Sequence, residues 1–330
     1  MKREAIPTAS NLSGARAVAR IIFKHVLSTL SVMLVVALFC FVLVRLAPTD
    51  PVAILAGDTA TPAQVEEIRQ RLGTDRPMAV QFATWIASMA TGDFGESFFF
   101  KRSVASLVAA RLEPTLALTL YAILLTIVLA IPMGVIAAKL RDGFFDRAIM
   151  IFAVTGFSLP VFVVGYVLIF LLSIKLGLFT IQGYQPISQG FGGFVHRLTL
   201  PAIAVSFPYI ALVTRMTRAS MLSVLKEDYI RAARAKGQSE VKVLLRHALK
   251  NAGVPIATSI SSGVAFLLGG VVVTESVFNI PGLGRLTADA VLAGDYPVIQ
   301  AVVLLCALVI VMLNLVTDII YRIIDPRIKY

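Results

Sequence analysis

Apolar residues run in six nearly uninterrupted stretches along the chain, and most charged residues lie between them. The stretches cover residues 26–44, 115–138, 148–174, 198–214, 254–274 and 298–317. A helix needs about 20 residues to cross the hydrocarbon core of a bilayer. Five stretches meet that length, and helical periodicity extends 198–214 past Arg215 and Arg218. The pattern therefore predicts an all-α integral membrane protein with six transmembrane helices.

Composition excludes a soluble domain. Of the 330 residues, 58% are hydrophobic and only 15% are charged, whereas soluble domains carry about 25% charged residues. The two cysteines, Cys40 and Cys306, fall within apolar stretches and are interpreted as small apolar residues. The three histidines are scattered over different segments. We therefore predict no catalytic site, no bound cofactor and no metal site in this chain.

The distribution of positive charge sets the orientation. If the N-terminus is inside and the chain crosses six times, the inner segments hold 20 of the 30 Lys and Arg residues. Such an excess on the cytoplasmic side is the usual rule for membrane proteins. It predicts a cytoplasmic N-terminal segment at 1–25, a six-helix membrane domain at 26–322 and a cytoplasmic tail at 323–330. Since topology explains the net charge of +11, we expect no nucleic-acid partner.

The outer segment 47–113 carries helix signals of its own. In "TPAQVEEIRQRLG", Thr61 is placed as an N-cap, Pro62 as the first helical residue and Gln64 as its capping-box partner, and Gly73 ends the helix. A second amphipathic run at 78–90 carries Trp85. These helices are expected at the membrane surface, either as a structured cap or as a surface for a partner.

No Asp, Glu, Lys, Arg or His lies in the central part of any of the six stretches. Ionisable groups at mid-membrane are typical of proton- and ion-coupled transport. Their absence disfavours an ion-coupled secondary transporter, which stays as a remote alternative. The phosphate-binding pattern G-x-x-x-x-G-K-[ST] is also absent. If this protein moves a solute uphill, the energy comes from another chain.

The inner loop 215–253 contains the charged stretch "KEDYIRAARAKGQSEVKVLLRHALKN". Helical periodicity over 225–236 puts Leu225, Tyr229, Ile230 and Ala233 on one side and Glu227, Arg231 and Arg234 on the other. We expect an ion pair between Glu227 and Arg231, and a helix end at Gly237. The small residues Ala232 and Ala233 would fit a groove on a soluble partner. A basic helix lying against lipid headgroups explains the periodicity equally well.

The same stretch resembles the coupling loop of ATP-binding cassette importer permeases. Anchored on Gly237, the family's Ala-Ala pair falls on Ala232 and Ala233, and its later Leu on Leu249. Three positions depart from the general pattern, and the departures are typical of the dipeptide/oligopeptide/nickel branch: Arg231 for Glu, His247 for Ile and Lys250 for Pro. The segments "VRLAPTDP", "GDFGESF", "ESVFNIPGLGRL" and "DPRIKY" extend the resemblance over nearly the whole chain.

The resemblance implies a type I importer permease fold and a division of labour among several proteins. This chain would be the first of two paired permeases in a bacterial inner membrane. Its expected partners are the second permease, two cytoplasmic ATPase subunits, a periplasmic solute-binding protein and the lipid bilayer. ATP hydrolysis would occur in the ATPase subunits, so the chain itself is not expected to be an enzyme. The family carries peptides, and also nickel, glutathione and oligosaccharides as alternatives.

The resemblance also implies two groups of functional residues. The first would couple the chain to an ATPase and consists of Glu227, Asp228, Tyr229, Arg231, Ala232, Ala233, Arg234 and Gly237. The second would form an outer gate or contact the binding protein, in "ESVFNIPGLGRLTADAVLAGDYP". It consists of Glu275, Phe278, Pro281, Gly282 and Asp295.

Overall fold

The computed structural model describes residues 9–46, 52, 56 and 60–324, and these residues are mostly helical. No β-strand occurs among them, although an isolated bridge joins Glu96 to Ser103. Residues 1–8 of the predicted N-terminal segment, most of 47–59 and the tail residues 325–330 lie outside this description. The all-α prediction is confirmed for the part of the chain that is described.

The helices follow in chain order. They are α1 (Ala9–Leu46), α2 (Pro62–Leu72), α3 (Met78–Ala90), α4 (Val104–Lys139), α5 (Phe144–Ser158), α6 (Val161–Leu168), α7 (Phe191–Val224), α8 (Asp228–Ala235), α9 (Glu240–Lys242), α10 (Leu249–Asn251), α11 (Gly253–Val277), α12 (Leu283–Ala293) and α13 (Tyr296–Ile324). A π-helical segment, Ile169–Lys175, continues α6, and another, Val243–Ala248, joins α9 to α10.

Among the described residues, four helices are each long and apolar enough to cross a membrane: α1, α4, α7 and α13. Two bent pairs raise the number to six if each counts as one span. One pair is Phe144–Ser158 with Val161–Lys175, and the other is formed by the two halves of α11. The chain is thus a multi-pass membrane protein by the length and composition of its helices.

The third apolar stretch, 148–174, is bent rather than straight. Its two halves meet at 108°, at a break that contains Leu159 and Pro160. Proline disfavours helical geometry in the residue before it, and Leu159 is extended, with φ −86° and ψ 129°. The proline within this stretch therefore explains why its two halves do not form one straight helix.

The first helix is longer than expected, because α1 begins at Ala9 rather than near residue 26. Its apolar part, Leu27–Leu46, is the segment long enough to span. Polar residues before position 26 thus continue the helix. The predicted boundary marks a change of composition, not a change of secondary structure.

The chain divides into two compact units. One comprises the residues up to Asp93 together with Val303–Leu315, and the other comprises Phe94–Val302 and the residues from Val316 onward. In the first unit, α2 has the expected capping box: Gln64 N–H donates to Thr61 Oγ1, and Thr61 N–H donates to Gln64 Oε1. Gly73 ends α2 in the left-handed conformation, with φ 64°. This prediction is confirmed.

Aromatic rings join α1 to α3 within the first unit. The Phe41 ring lies 5.3 Å from Phe82 and 5.9 Å from Trp85, measured between centroids. The guanidinium of Arg45 lies 5.2 Å from the centroid of the Phe41 ring. Contacts between aromatic rings, and between a cation and the face of a ring, are attractive. The amphipathic run around Trp85 is a helix, as predicted, and it packs against α1 through these contacts.

Helix α7 is the central helix of the second unit. Of the most apolar 18-residue segment of α7, 72% is buried inside the protein, whereas the corresponding value for α4 is 33%. Glycines let neighbouring helices approach it closely. A Cβ on Gly134 of α4 would lie 2.5 Å from Cβ of Thr217, and one on Gly156 of α5 would lie 3.1 Å from Cβ of Ala211. These glycines therefore allow close contact between the helices.

Candidate functional site

The inner loop folds back on its own chain to form a small core. Ile230 of α8 is fully buried and Ala233 is 7% exposed, and both pack in a cluster with Met221 of α7 and with Val243 and Leu244 of the π-helical segment. The apolar side of α8 is therefore used inside the chain. This packing fixes the orientation of the charged side, which faces outward.

The predicted coupling residues differ in their exposure to solvent. Ala233 is buried against the loop's own core, so it offers no surface to a partner in this conformation. The other seven are exposed: Glu227, Asp228, Tyr229, Arg231, Ala232, Arg234 and Gly237. A helix turns by about 100° per residue, so Ala232 and Ala233 lie on different sides of α8. The exposed patch therefore contains one of the two alanines that were predicted for it. Only Ala232 can meet a groove.

The predicted ion pair between Glu227 and Arg231 is wrong. Glu227 precedes the helix with an extended backbone, φ −68° and ψ 148°, so its side chain does not follow the helical spacing. Arg231 pairs with Asp228 instead. Arg234 forms a two-pronged bond with Glu240, through Nη2 to Oε1 at 2.7 Å and Nε to Oε2 at 3.2 Å. This bond holds the pKa of the Glu240 carboxyl below its usual value.

Gly237 connects α8 to α9 in the left-handed conformation, with φ 75°. Its N–H donates to Arg234 O at 2.9 Å, and the next N–H, of Gln238, donates to Ala233 O at 3.3 Å. A Cβ at this position would meet nothing within 4 Å. Glycine is therefore required by the backbone conformation and not by space. The predicted end of the helix at Gly237 agrees with the end of α8 at Ala235.

A second inner contact was missed from the sequence. Asp146, in the first turn of α5, accepts from Arg218 of α7 through two bonds of 2.6 Å. It also accepts from Asp142 N–H at 2.9 Å. The side chains of Asp146 and Arg218 are 4% and 23% exposed. The pair ties the first turn of α5 to the second half of α7. The two acidic residues of the segment 139–147, Asp142 and Asp146, were the available signal.

Near the end of α11, Glu275 is fully buried and holds the start of α12. Its Oε1 accepts from Thr115 Oγ1 at 2.6 Å, and its Oε2 accepts from Arg285 N–H at 3.0 Å. Thr115 Oγ1 in turn accepts from Leu283 N–H at 2.8 Å. Free N–H groups at a helix start favour a carboxylate. One side chain from α11 and one from α4 therefore cap α12 together.

The turn before α12 has no room for side chains. A Cβ on Gly282 would lie 2.0 Å from Oε1 of Glu275, and one on Gly284 would lie 2.5 Å from Cα of Val272. Phe278 is buried, and its ring would lie 3.2 Å from a Cβ on Gly165 of α6. Pro281 is exposed. The turn is thus clamped to α11, with Pro281 at its outer surface.

Asp295 anchors the loop that contains "GESFFF". Its carboxylate accepts from Ser97 Oγ, from Phe98 N–H at 3.1 Å and from Phe99 N–H at 3.2 Å. Asp295 is itself fully buried, and Phe99 is 61% exposed. The loop is therefore held between the end of α12 and the start of α13. This link joins two of the recognised sequence segments, although nothing in their spacing predicts it.

The five predicted outer residues consequently act in different ways. Glu275, Phe278, Gly282 and Asp295 are buried in the chain and position the turn and the loop. Pro281 has surface to offer. The largest exposed apolar side chain of the neighbouring helix is Leu292 of α12, at 89% exposed. A contact with another protein at this end remains a prediction, and in this conformation Pro281 and Leu292 would make it.

Comparison with known proteins agrees over nearly the whole chain. Residues 130–330 match the family described as binding-protein-dependent transport system inner membrane component. Residues 18–119 match the corresponding N-terminal membrane component family.

Two curated relatives share this extent. The probable peptide ABC transporter permease protein y4tP of Sinorhizobium fredii is 47% identical over 309 residues, which cover 94% of this chain and 99% of that protein. The glutathione transport system permease protein GsiC of Escherichia coli K12 is 40% identical over 309 residues, which cover 94% and 98%.

The fold also has a solved counterpart. An inward-facing structure of the MetNI methionine ABC transporter aligns with a TM-score of 0.56 and 20% identity. The alignment covers 66% of this chain and 96% of that one. At this identity the likeness concerns the fold.

Proposed function

The chain belongs to the family of binding-protein-dependent transport system inner membrane components, and we propose that it forms part of the import path for short peptides. As a member of this family it is an ABC importer permease, not an enzyme. Relatives of nearly equal length are named for peptide and for glutathione transport. Glutathione is itself a small peptide, so both names support a path for short peptides over one for nickel or oligosaccharides.

We place the permease in the bacterial inner membrane with six spans, counting each bent helix pair as one, and with both termini in the cytoplasm. The excess of Lys and Arg in the segments assigned to the inside supports this orientation. A second permease, two ATPase subunits and a periplasmic binding protein complete the proposed importer. The central parts of the apolar stretches contain no ionisable residue, which supports an energy source in separate ATPase subunits.

The exposed side of α8 is proposed as the contact with one ATPase. The observation that carries this proposal is that Ile230 and Ala233 fix α8 on the chain's own core, while the charged side and Ala232 face outward. A helix held in this way transmits a push to α7 without bending, since Met221 of α7 belongs to the same core. Closure of the ATPases around ATP would then bias the conformation of the spans.

The test is solute-stimulated ATP hydrolysis by the reconstituted importer. Ala232→Trp adds bulk on the exposed side of α8, where overfilling a groove costs about 1–3 kcal/mol. We expect lower stimulation by loaded binding protein, with the membrane protein still inserted. Ala232→Ser, which stays small, is the matched control. Full stimulation and uptake in Ala232→Trp would reject α8 as the contact.

A further inference from the structure

A cleft of about 300 Å³ lies between α5 and α7 in the inner half of the second unit. Its walls are apolar, with Met150 and Phe157 from α5 and Leu212 and Met216 from α7. Two contacts close the cleft at its ends. The Asp146–Arg218 pair joins the helices on the inner side, and the approach of Gly156 to Ala211 joins them further along.

One cation at the cleft is free of a protein partner. The guanidinium of Arg218 is neutralised by Asp146. Arg215 also lines the cleft, and the described residues place no carboxylate within ion-pair distance of it. Arg215 is exposed. The cleft therefore combines apolar walls with one uncompensated positive charge.

The depth of Arg215 matches the headgroup region of the inner leaflet, on the topology proposed above. Residues 198–214 of α7 contain no Asp, Glu, Lys, Arg or His, and 17 helical residues rise about 26 Å. Arg215 is the first charge after this apolar length. Phe144 and Phe145 at the start of α5 are 81% and 61% exposed, and exposed aromatic residues are typical of the membrane interface.

We propose that this cleft binds an anionic phospholipid of the inner leaflet. The phosphate bonds to the guanidinium of Arg215, and one acyl chain lies along Met150, Phe157 and Leu212. Basic pockets between membrane helices on the cytoplasmic side bind such headgroups. A bound lipid would fill the space between α5 and α7 and so hold together the two helices that the Asp146–Arg218 pair joins.

The test is native mass spectrometry of the full-length chain released from nanodiscs that contain phosphatidylglycerol or phosphatidylcholine. We expect retained phosphatidylglycerol and little phosphatidylcholine. Arg215→Gln should reduce the retained phosphatidylglycerol about fivefold or more, the loss that one basic residue causes at a membrane surface. Ala219→Trp, which fills the cleft without changing charge, should reduce it as well. Size-exclusion chromatography checks that each variant is folded.

Arg141→Gln is the matched control, because Arg141 is an exposed cation on the same inner side and pairs with Asp142 at 3.1 Å. It should retain phosphatidylglycerol like the unchanged chain. Equal retention by Arg215→Gln, or equal retention of the two lipids, would overturn the proposal. Displacement of the lipid by a short peptide would overturn it too, since the cleft would then be a solute site. Peptide uptake is measured separately, so failure here leaves the proposed transport untouched.

Discussion

Thr115 Oγ1 donates to Glu275 Oε1 at 2.6 Å across 160 residues of sequence. The same hydroxyl oxygen accepts from the first N–H of α12. Three helices, α4, α11 and α12, therefore meet in one buried network. Because the network has a polar group from each helix, none can move away without leaving a buried donor or acceptor unpaired.

Glu275→Ala should lower the free energy of unfolding by about 2–3 kcal/mol, because it leaves the Thr115 hydroxyl and the Arg285 N–H without their acceptor. Thermal unfolding in detergent measures the change. Glu67→Ala, which removes an exposed carboxylate from α2, is the control and should stay within about 0.5 kcal/mol. Thr115→Val should destabilise too, and the double variant should lose less than the sum. Strict additivity would show that the two side chains act independently.

Gly237→Ala should weaken the inner loop by about 1 kcal/mol, because a Cβ is unfavourable at positive φ. Gly177→Ala is the matched control, since Gly177 has φ 63° and likewise has no atom within 4 Å of a built Cβ. Both variants should unfold at slightly lower temperature. Only Gly237→Ala should reduce binding-protein-stimulated ATP hydrolysis in the reconstituted importer. Equal hydrolysis in the two variants would count against a special role for the α8–α9 turn.

The Arg234–Glu240 bond should make the inner loop sensitive to acid. Arg234 lowers the pKa of Glu240 in the folded chain, so the bond contributes stability above the unfolded pKa, about 4.3. That contribution is lost as pH falls through the lower, folded value. The protection factors for amide hydrogen exchange at residues 237–242, which are corrected for the intrinsic pH dependence of exchange, should fall in that acidic range. Glu240→Gln should abolish the pH dependence, and a response unchanged by this substitution would assign it to another group.

Reporter fusions test the orientation directly. Fusions after residues 60, 185 and 290 should report the periplasm, and fusions after 143 and 238 should report the cytoplasm. The physical reason is the concentration of Lys and Arg in the segments assigned to the inside. A periplasmic signal at 238 would contradict the topology and with it the proposed ATPase contact.

Local features were predictable from the sequence where neighbouring residues decide them. The Thr61–Gln64 capping box and the left-handed Gly237 depend on residues within one turn of each other, and both are present. Pro160 is a residue at which the sequence allows a span to bend, but the angle of the bend was not predictable because the apolar composition continues through it.

Contacts between distant segments were not predictable. Asp146 with Arg218 and Ser97 with Asp295 join segments 72 and 198 residues apart, and no periodicity specifies such pairs. The same limit explains Ala233. Its position on α8 was predicted, but whether the apolar side of α8 packs on its own chain or on a partner depends on how the loop folds back.

Helix α7 has 34 residues, so it is about 51 Å long, whereas the hydrocarbon core is about 30 Å thick. On the proposed topology, its inner portion stands well into the cytoplasm and carries α8 near its tip. A helix of this length works as a lever. Tilting it by about 5° around its midpoint displaces its end by roughly 2 Å. A small tilt of this span would therefore shift α8 by a distance comparable to the size of a side chain.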